Sequence, residues 1–263
     1  MKSSILFIGA GRMAEAIISG LTKENKFQQI YVSNKSKPVR LKELADSYQV
    51  VPTENWKEKI DSVQVIVLAM PPSEHDSILN ELHPLITNQF VVTIAAGIGP
   101  TYLEERLPKG TAVGWIMPNT AAEVGYSISL FTYGQMVAEE NKQQMKNLLD
   151  AIGKSHYCSE EEVHQLTAIT GSAPAFLYAF TEALTTMSEK LGVQHEVARK
   201  LVTEMIIGSS EMLKTEKTAS DLREQVTTPG GATAEGLKVL KEGNFETLIH
   251  QAVIATNKKA RGE

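Results

Sequence analysis

The chain has 263 residues, 26 basic and 31 acidic side chains and a formal net charge of −5, which at about 150 residues per domain corresponds to a little under two domains. This mild acidity argues against a nucleic-acid-binding protein, which usually carries a basic face, and against a polybasic membrane-surface protein. Hydrophobic residues make up 42% and charged residues 22% of the chain, so we expect a folded protein rather than a disordered one.

The cysteine content and the apolar runs bear on where the protein works. Cys158 is the single cysteine and cannot form an internal disulfide, so we expect a cytoplasmic protein. The apolar run Ile5–Ile8 is too short for a signal peptide. Ala173–Phe180 is far short of the roughly 20 apolar residues that span a bilayer. We therefore expect neither a membrane nor a nucleic-acid partner.

Short apolar runs alternate with helical patterns through the first part of the chain. Helices are predicted over Glu15–Leu21 and Val39–Tyr48, and Ser127–Tyr133 alternates in a way that predicts an antiparallel edge strand. The other predicted strands are Ser4–Ile8, Gln29–Ser33, Val50–Val51, Val63–Ala69, Phe90–Ala95 and Val113–Met117. Near-continuous apolar strands separated by helices indicate an α/β fold with a parallel sheet covered on both faces.

No strand pattern follows Glu160. Helical patterns are predicted over 161–170, 173–191, 195–214, 233–241 and 245–259. We therefore predict an α/β domain over residues 1–158 and an all-helical domain over 159–263. The apolar faces of Ala168–Leu184 and Leu201–Leu213 are long for so small a domain, so we interpret them as a core shared with a partner subunit. The second face includes Ile206, Ile207, Met212 and Leu213.

A glycine-rich turn follows the first predicted strand. Residues 9–14, GAGRMA, fit the GxGxxA pattern and stand between a strand and a helix, as a dinucleotide-binding turn requires. Gly9 permits a tight turn, Gly11 lets the backbone approach a pyrophosphate at the helix N-terminus, and Ala14 allows close packing on the sheet. The pattern favours a Rossmann-type domain over a plain strand-to-helix turn.

The residues after the second predicted strand bear on which dinucleotide binds. NAD-binding domains usually place Asp or Glu there for the ribose 2′-hydroxyl, whereas Ser33–Lys37 contains no carboxylate and Arg40 follows. Hydroxyl, amide and cationic donors suit a 2′-phosphate. We predict NADPH in preference to NADH. Lys35, Lys37 and Arg40 form a local basic cluster, and the alternative is that its lysines belong only to a solvated loop.

A second concentrated motif occupies residues 227–233, TTPGGAT. Adjacent glycines after a proline expose successive backbone N–H groups at a helix start, which is an anion-binding arrangement. The flanking threonines add hydroxyl donors suited to a small carboxylate. Local chemistry supports equally the alternative of a helix–helix turn capped by Thr233.

Together these motifs resemble those of the pyrroline-5-carboxylate reductase family, which makes L-proline by reducing 1-pyrroline-5-carboxylate with NAD(P)H. The resemblance covers the whole chain and rests on residues 9–16, 95–98, 117–121 with Gly125, 170–175 and 222–240. It implies an N-terminal Rossmann domain and a C-terminal helical domain. The helices of that domain dimerise, often within a larger ring of dimers.

The resemblance also implies site residues by position. Those at the cofactor pyrophosphate are Gly9, Gly11, Arg12 and Met13. Those at the adenine ribose and its phosphate are Ser33, Asn34, Lys35 and Ser36. The other cofactor-binding residues are Asn55, Ala69, Met70, Pro71, Ala95, Ala96, Gly97 and Asn119. The substrate-binding residues are Thr228, Gly230, Gly231 and Thr233.

Within this set Thr233 is the expected catalytic residue, because it matches the family threonine near the imine nitrogen. Two interpretations of its role stay open, a proton relay through water and orientation of the ring. Two positions depart from the family pattern. Pro71 stands where many members have lysine, and Trp115 where many have arginine. Either change bears on cofactor affinity or preference and leaves the substrate motif intact.

The remaining reactive residue types show no site of their own. The six histidines have no paired metal-ligand spacing, so we expect surface histidines and no metal site. Cys158 has no matching histidine motif and is expected in the core or at the domain boundary. The sequence therefore predicts an NADPH-dependent reductase of 1-pyrroline-5-carboxylate. The alternatives are a reductase of another cyclic imino acid and a non-catalytic dinucleotide-binding paralogue.

Overall fold

The computed structural model describes residues 2–35 and 38–260. The strands are β1 (Ser4–Ile8), β2 (Gln29–Ser33), β3 (Val51–Pro52), β4 (Val65–Leu68), β5 (Phe90–Thr93), β6 (Val113–Met117), β7 (Ser127–Tyr133) and β8 (Gly153–Tyr157). They form one sheet in the order β3-β2-β1-β4-β5-β6-β7-β8. The pairs from β3 to β6 are parallel, as predicted.

Helices cover both faces of this sheet. They are α1 (Arg12–Glu24), α2 (Pro38–Tyr48), α3 (His75–Leu82), α4 (Pro100–Glu104), α5 (Glu139–Asp150) and α6 (Glu160–Thr167). Successive side chains of a strand point to opposite faces, so Ile5 and Phe7 pack with α1, α2 and α5. Leu6 and Ile8 pack in a second core with α3 and α4. The central strands are apolar along their whole length because both of their faces are buried.

The far end of the sheet differs from the prediction. β7 is antiparallel to β6, as expected, but the prediction that it is an edge strand is wrong, because β8 pairs with it in parallel. Most of β8 is exposed, and its sequence, GKSHY, has no apolar alternation. It is held by pairing with β7 and by α5 rather than by buried apolar side chains, so its sequence carries no strand signal.

The contacts divide the chain into two compact units. The first comprises the residues up to Ser172 together with the segment that begins at Asn257, and the second is Ala173–Thr256. This division lies beyond the predicted boundary between residues 158 and 159. The reason is that Val163 of α6 packs against Trp115, Leu130 and Cys158 in the sheet unit. A π-helical turn, Ala168–Ser172, then leads into the second unit.

The second unit is helical. Its helices are α7 (Ala173–Lys190), α8 (His195–Met212), α9 (Ala219–Gln225), α10 (Ala232–Glu242) and most of α11 (Phe245–Ala260). Its buried apolar side chains among the described residues are Ala198 and Val202, whereas large apolar side chains along α7 and α8 are exposed. Among the described residues, no helix is both long and apolar enough to cross a membrane.

Candidate active site

A cleft of about 1120 Å³ opens at the carboxyl ends of β1, β2 and β4 in the first unit. The predicted site residues that line it are Gly9, Gly11, Arg12, Ser33, Asn34, Lys35, Asn55, Ala69, Met70 and Pro71. Ligands of open α/β sheets bind outside the carboxyl ends of the strands, so the sheet brings most of the predicted cofactor set to the expected edge.

The two glycines of the first turn differ in what surrounds them. Gly9 has a φ of 109°, and its N–H donates to the Ser33 carbonyl at 2.9 Å. A Cβ on Gly9 would lie 2.6 Å from the backbone of Ala69, whereas a Cβ on Gly11 would meet no protein atom within 4 Å. Gly9 is therefore required by the fold, and Gly11 leaves open space at the start of α1.

The start of α1 provides the electrostatics for an anion. Gly11 is the N-cap and makes no side-chain hydrogen bond to the first turn, so the free N–H groups and the positive helix end face the cleft. Arg12 is exposed and pairs with Glu123 at 2.9 Å. The Met13 side chain instead packs against the core, so its backbone rather than its side chain is placed for a ligand.

The residues after β2 bring hydroxyl, amide and ammonium groups to the cleft. Ser33 is buried, and Lys35 is exposed at the rim. Ser36 and Lys37 lie outside the described residues. Arg40 also lines the cleft, and its guanidinium pairs with the carboxylates of Glu15 and Glu43. The hydrogen bond to Glu15 raises the pKa of Arg40.

Glu15 is a cleft residue that the sequence analysis missed. It lies one turn into α1, and besides Arg40 it accepts a hydrogen bond from the Tyr48 hydroxyl at 3.3 Å. Arg40 also donates to the Ala10 carbonyl at 3.3 Å. Glu15 thus neutralises Arg40 and ties α2 to the glycine turn. The available signal was an acidic residue in the first turn of a helix followed by an unassigned arginine in the next helix.

Asn55 and Pro71 also line the cleft. The Asn55 side chain caps a 3₁₀ helix, Trp56–Ser62, by accepting from Lys57 N–H at 3.3 Å and donating to Glu58 at 3.0 Å. Ala69, Met70 and Pro71 continue β4 into the cleft wall. A short 3₁₀ helix, Pro72–Glu74, follows Pro71 and leads into α3.

The predicted residues at the ends of β5 and β6 do not line this cleft. Ala95 is buried, and its carbonyl accepts from the Trp115 indole at 2.9 Å. Gly97 adopts a φ of 78° in the following turn, beside the half-buried Ala96. The Asn119 side chain is buried, accepting from Ala121 N–H at 3.0 Å and donating to the Thr170 carbonyl at 2.9 Å. The structure gives Asn119 a helix-capping role.

The second motif forms a turn at the start of α10. Gly230 has a φ of 70°, and Gly231 N–H donates to the Thr228 carbonyl at 2.9 Å. Gly231 is the N-cap of α10 and no side chain caps the first turn, so the alternative in which Thr233 caps the helix is wrong. Thr228 and Thr233 are exposed. The turn therefore presents open N–H groups and two hydroxyls, which suit a small carboxylate.

One histidine contradicts the expectation of surface positions. His75 is fully buried at the start of α3, between the Pro71 carbonyl and the Thr93 hydroxyl, each at 3.1 Å from a ring nitrogen. Burial lowers the pKa of His75. Cys158 is also buried, in agreement with the core interpretation, and burial raises the pKa of its thiol. No group of three or more potential metal ligands occurs in the described part of the chain.

The first unit fits a dinucleotide. Three features of the glycine turn suit a pyrophosphate. Gly9 lies too close to Ala69 for a side chain, Gly11 borders open space, and the start of α1 is uncapped. The cleft wall carries Ser33 and Lys35, which can donate hydrogen bonds to a ribose phosphate. The second unit presents uncapped N–H groups and the exposed hydroxyls of Thr228 and Thr233 at the start of α10.

Two sequence families match the chain. The family described as pyrroline-5-carboxylate reductase dimerisation matches residues 160–263, and the family described as NADP oxidoreductase, coenzyme F420-dependent, matches residues 4–97. Pyrroline-5-carboxylate reductase 2 of Bacillus subtilis is 32% identical over 257 residues, which cover 97% of this chain and 92% of the relative. The reductase of Staphylococcus saprophyticus is 32% identical over 256 residues, covering 95% and 94%.

Solved structures give the same similarity. The 1-pyrroline-5-carboxylate reductase of Streptococcus pyogenes superimposes with a TM-score of 0.91 at 29% identity and covers 99% of both chains. A pyrroline carboxylate reductase of Plasmodium falciparum, solved with NADP bound, has a TM-score of 0.90 at 27% identity, with coverage of 99% of this chain and 97% of that one.

Proposed function

The chain belongs to the pyrroline-5-carboxylate reductase family, and from that premise we propose that it reduces 1-pyrroline-5-carboxylate to L-proline with NADPH in preference to NADH. The glycine turn is the observation that carries the cofactor assignment. The Ala69 backbone leaves no room for a side chain at Gly9, whereas Gly11 borders open space in a cleft large enough for a dinucleotide. When bound, NADPH supplies the hydride.

The protein's own residues bind and orient the reactants. The N–H groups at the start of α1 would hold the pyrophosphate, and Lys35 at the rim of the cleft would hold the 2′-phosphate. The Thr228–Gly231 turn and the first N–H groups of α10 hold the substrate carboxylate. A protonated cyclic imine is already electrophilic at carbon, so its reduction depends mainly on orientation. Thr233 is the side chain we assign to the imine nitrogen.

We also propose that the protein is a cytoplasmic homodimer, with rings of dimers as the larger assembly. The exposed apolar faces of α7 and α8 support a shared helical core, as does the match of residues 160–263 to a dimerisation family. The single cysteine, which cannot form an internal disulfide, supports the cytoplasmic location.

The test is a substrate panel with the purified full-length protein. We expect NADPH oxidation and L-proline formation with 1-pyrroline-5-carboxylate, at a higher kcat/KM than with a six-membered cyclic imino acid. A reversed order would assign the protein to another imino-acid reductase. NADPH binding without turnover of any cyclic imine would identify a non-catalytic paralogue.

A further inference from the structure

A continuous chain of hydrogen bonds crosses the carboxyl ends of three neighbouring strands, β4, β5 and β6. The Trp115 indole N–H donates to the Ala95 carbonyl at 2.9 Å, and Ala95 N–H donates to the Thr93 hydroxyl oxygen at 3.2 Å. His75 Nε2 lies 3.1 Å from that hydroxyl, and His75 Nδ1 lies 3.1 Å from the Pro71 carbonyl. The chain thus joins β6 to the wall of the cofactor cleft.

Most of this chain of hydrogen bonds is buried. Trp115, Thr93 and His75 are fully buried, whereas Pro71 is exposed at the cleft. Buried polar groups that lose a partner are costly, because no water replaces the missing hydrogen bond. No side-chain nitrogen or oxygen that is buried in the described residues lacks a partner, so every link of the chain is satisfied.

The hydrogen-bond partners of His75 determine which ring nitrogen carries the proton. A backbone carbonyl only accepts, so the bond to Pro71 requires the proton on Nδ1. Nε2 of the neutral ring then accepts from the Thr93 hydroxyl, whose oxygen in turn accepts from Ala95 N–H. A second proton on Nε2 would convert that atom into a donor. The Thr93 hydroxyl would then lose its acceptor, since its hydrogen bonds within the described residues are to His75 and Ala95.

The surroundings of His75 favour the neutral ring. Burial lowers its pKa, against the opposing effects of the Pro71 and Pro72 carbonyls and of the Glu74 and Asp76 carboxylates. Asp76 is itself held by Tyr102 and Arg106. β4 and β5 contribute no titratable side chain. The ring therefore stays neutral at and above its ordinary titration range, about pH 6.5, and gains its second proton only on further acidification.

We propose that His75 is a positioning residue for the cofactor, which in its neutral Nδ1–H form ties the Pro71 wall of the cleft to Thr93 and, through Ala95, to Trp115. The proposal rests on the proposed dinucleotide site, because Ala69, Met70 and Pro71 line that cleft. Pro71 and Trp115, the two positions that depart from the family pattern, lie at the two ends of the chain of hydrogen bonds. The same series of hydrogen bonds therefore connects both positions.

Two substitutions of Thr93 test whether its hydrogen bond to His75 positions the Pro71 wall. Thr93→Val keeps the shape and removes the hydroxyl, leaving His75 Nε2 and Ala95 N–H without their partner. We expect the Kd for NADPH to rise about tenfold, because the Pro71 wall of the cleft loses its connection to β5. The kcat at saturation should change less than about twofold, because the reacting groups are untouched. Thr93→Ser retains the hydroxyl and should restore the wild-type Kd.

Val91→Ala in the same strand controls for general destabilisation, since Val91 is buried in the same core and makes no link in the chain. It should lower the Tm while leaving the Kd for NADPH unchanged. Equal Kd values for Thr93→Val and Thr93→Ser, or an increase with Val91→Ala as large as with Thr93→Val, would overturn the proposal.

The pH dependence of NADPH binding tests the neutral ring separately. His75→Gln keeps an acceptor toward Thr93 but cannot titrate. As the pH falls below about 6.5, the wild-type Kd should rise more steeply than that of His75→Gln. Parallel profiles would overturn the assignment. Both tests read binding, so they are independent of the proposed reaction. If NADPH bound normally without turnover, the reaction would fail while the positioning role could still be measured.

Discussion

Thr233 is the residue assigned to the reacting bond. Its side chain is exposed in the first turn of α10, where Gly231 rather than Thr233 is the N-cap. We expect Thr233→Ala to lower kcat and to leave the Kd for NADPH within about twofold, because the cofactor cleft lies in the first unit. A loss of kcat of about 100-fold or more would favour the proton relay, and a smaller loss would favour orientation of the ring.

Thr215→Ala provides the control for this substitution. Thr215 is another exposed threonine of the second unit, hydrogen-bonded to the Met212 carbonyl at 2.7 Å, and its loss should leave kcat unchanged. Steady-state kinetics and fluorescence titration measure the two quantities. A parallel loss of cofactor affinity in Thr233→Ala would contradict the placement of Thr233 at the substrate.

Lys35 is the residue to which we assign the proposed preference for the phosphorylated cofactor. It lines the cleft, and no ion pair joins it to another described residue, whereas the neighbouring Arg40 is neutralised by Glu15 and Glu43. Lys35→Glu should reduce the ratio of kcat/KM for NADPH over NADH by about tenfold or more, since a charge-assisted contact is replaced by repulsion. Lys154→Glu, the same charge change on β8, should leave the ratio unaltered. An unchanged ratio in Lys35→Glu would remove this residue from the phosphate site.

Among the elements, the turn between β1 and α1 contains one glycine that the fold requires, Gly9, and one that we assign to cofactor binding, Gly11. Gly9→Ala should destabilise the protein by more than about 1 kcal/mol, because the positive φ and the Ala69 backbone both oppose a side chain. Gly11→Ala should cost less than about 1 kcal/mol, since Gly11 has an ordinary φ and open surroundings. Its Cβ would nevertheless enter the pyrophosphate space and weaken NADPH binding.

Denaturant unfolding and NADPH titration of both variants check this difference. The prediction for the turn is contradicted if Gly11→Ala binds NADPH as tightly as the wild-type protein. It is equally contradicted if Gly9→Ala is as stable as the wild type.

How much the sequence reveals depends on what holds each element. β1, β4 and β5 were predictable because their side chains are buried on both faces, which leaves a continuous apolar run. β8 was not, because pairing with β7 rather than side-chain burial defines it. The glycine turn was predictable from its local pattern. The burial of His75 against Thr93 and the hydrogen bond that Asn119 donates to the Thr170 carbonyl depend on partners distant in sequence, which no local pattern shows.

At the scale of the whole molecule, the helical unit has too small a core of its own. Leu201 and Met205 lie one turn apart on α8 and remain 60% and 45% exposed, and small helical domains need further burial to be stable. Met205→Glu should therefore shift the protein from dimer to monomer and lower its Tm. Lys200→Glu, which places the same acidic side chain at a polar position of α8, should not. Sedimentation velocity distinguishes the two outcomes, and a dimeric Met205→Glu protein would contradict the interface.

Isotope transfer tests most directly whether the protein reduces 1-pyrroline-5-carboxylate with a hydride from NADPH. With NADPH deuterated at the transferable C4 position and unlabelled 1-pyrroline-5-carboxylate, the protein should form L-proline that carries one deuterium at the ring carbon formed from the imine carbon. Mass spectrometry and NMR locate the label. The absence of proline, or proline without deuterium at that carbon, would contradict direct reduction of the imine by this protein.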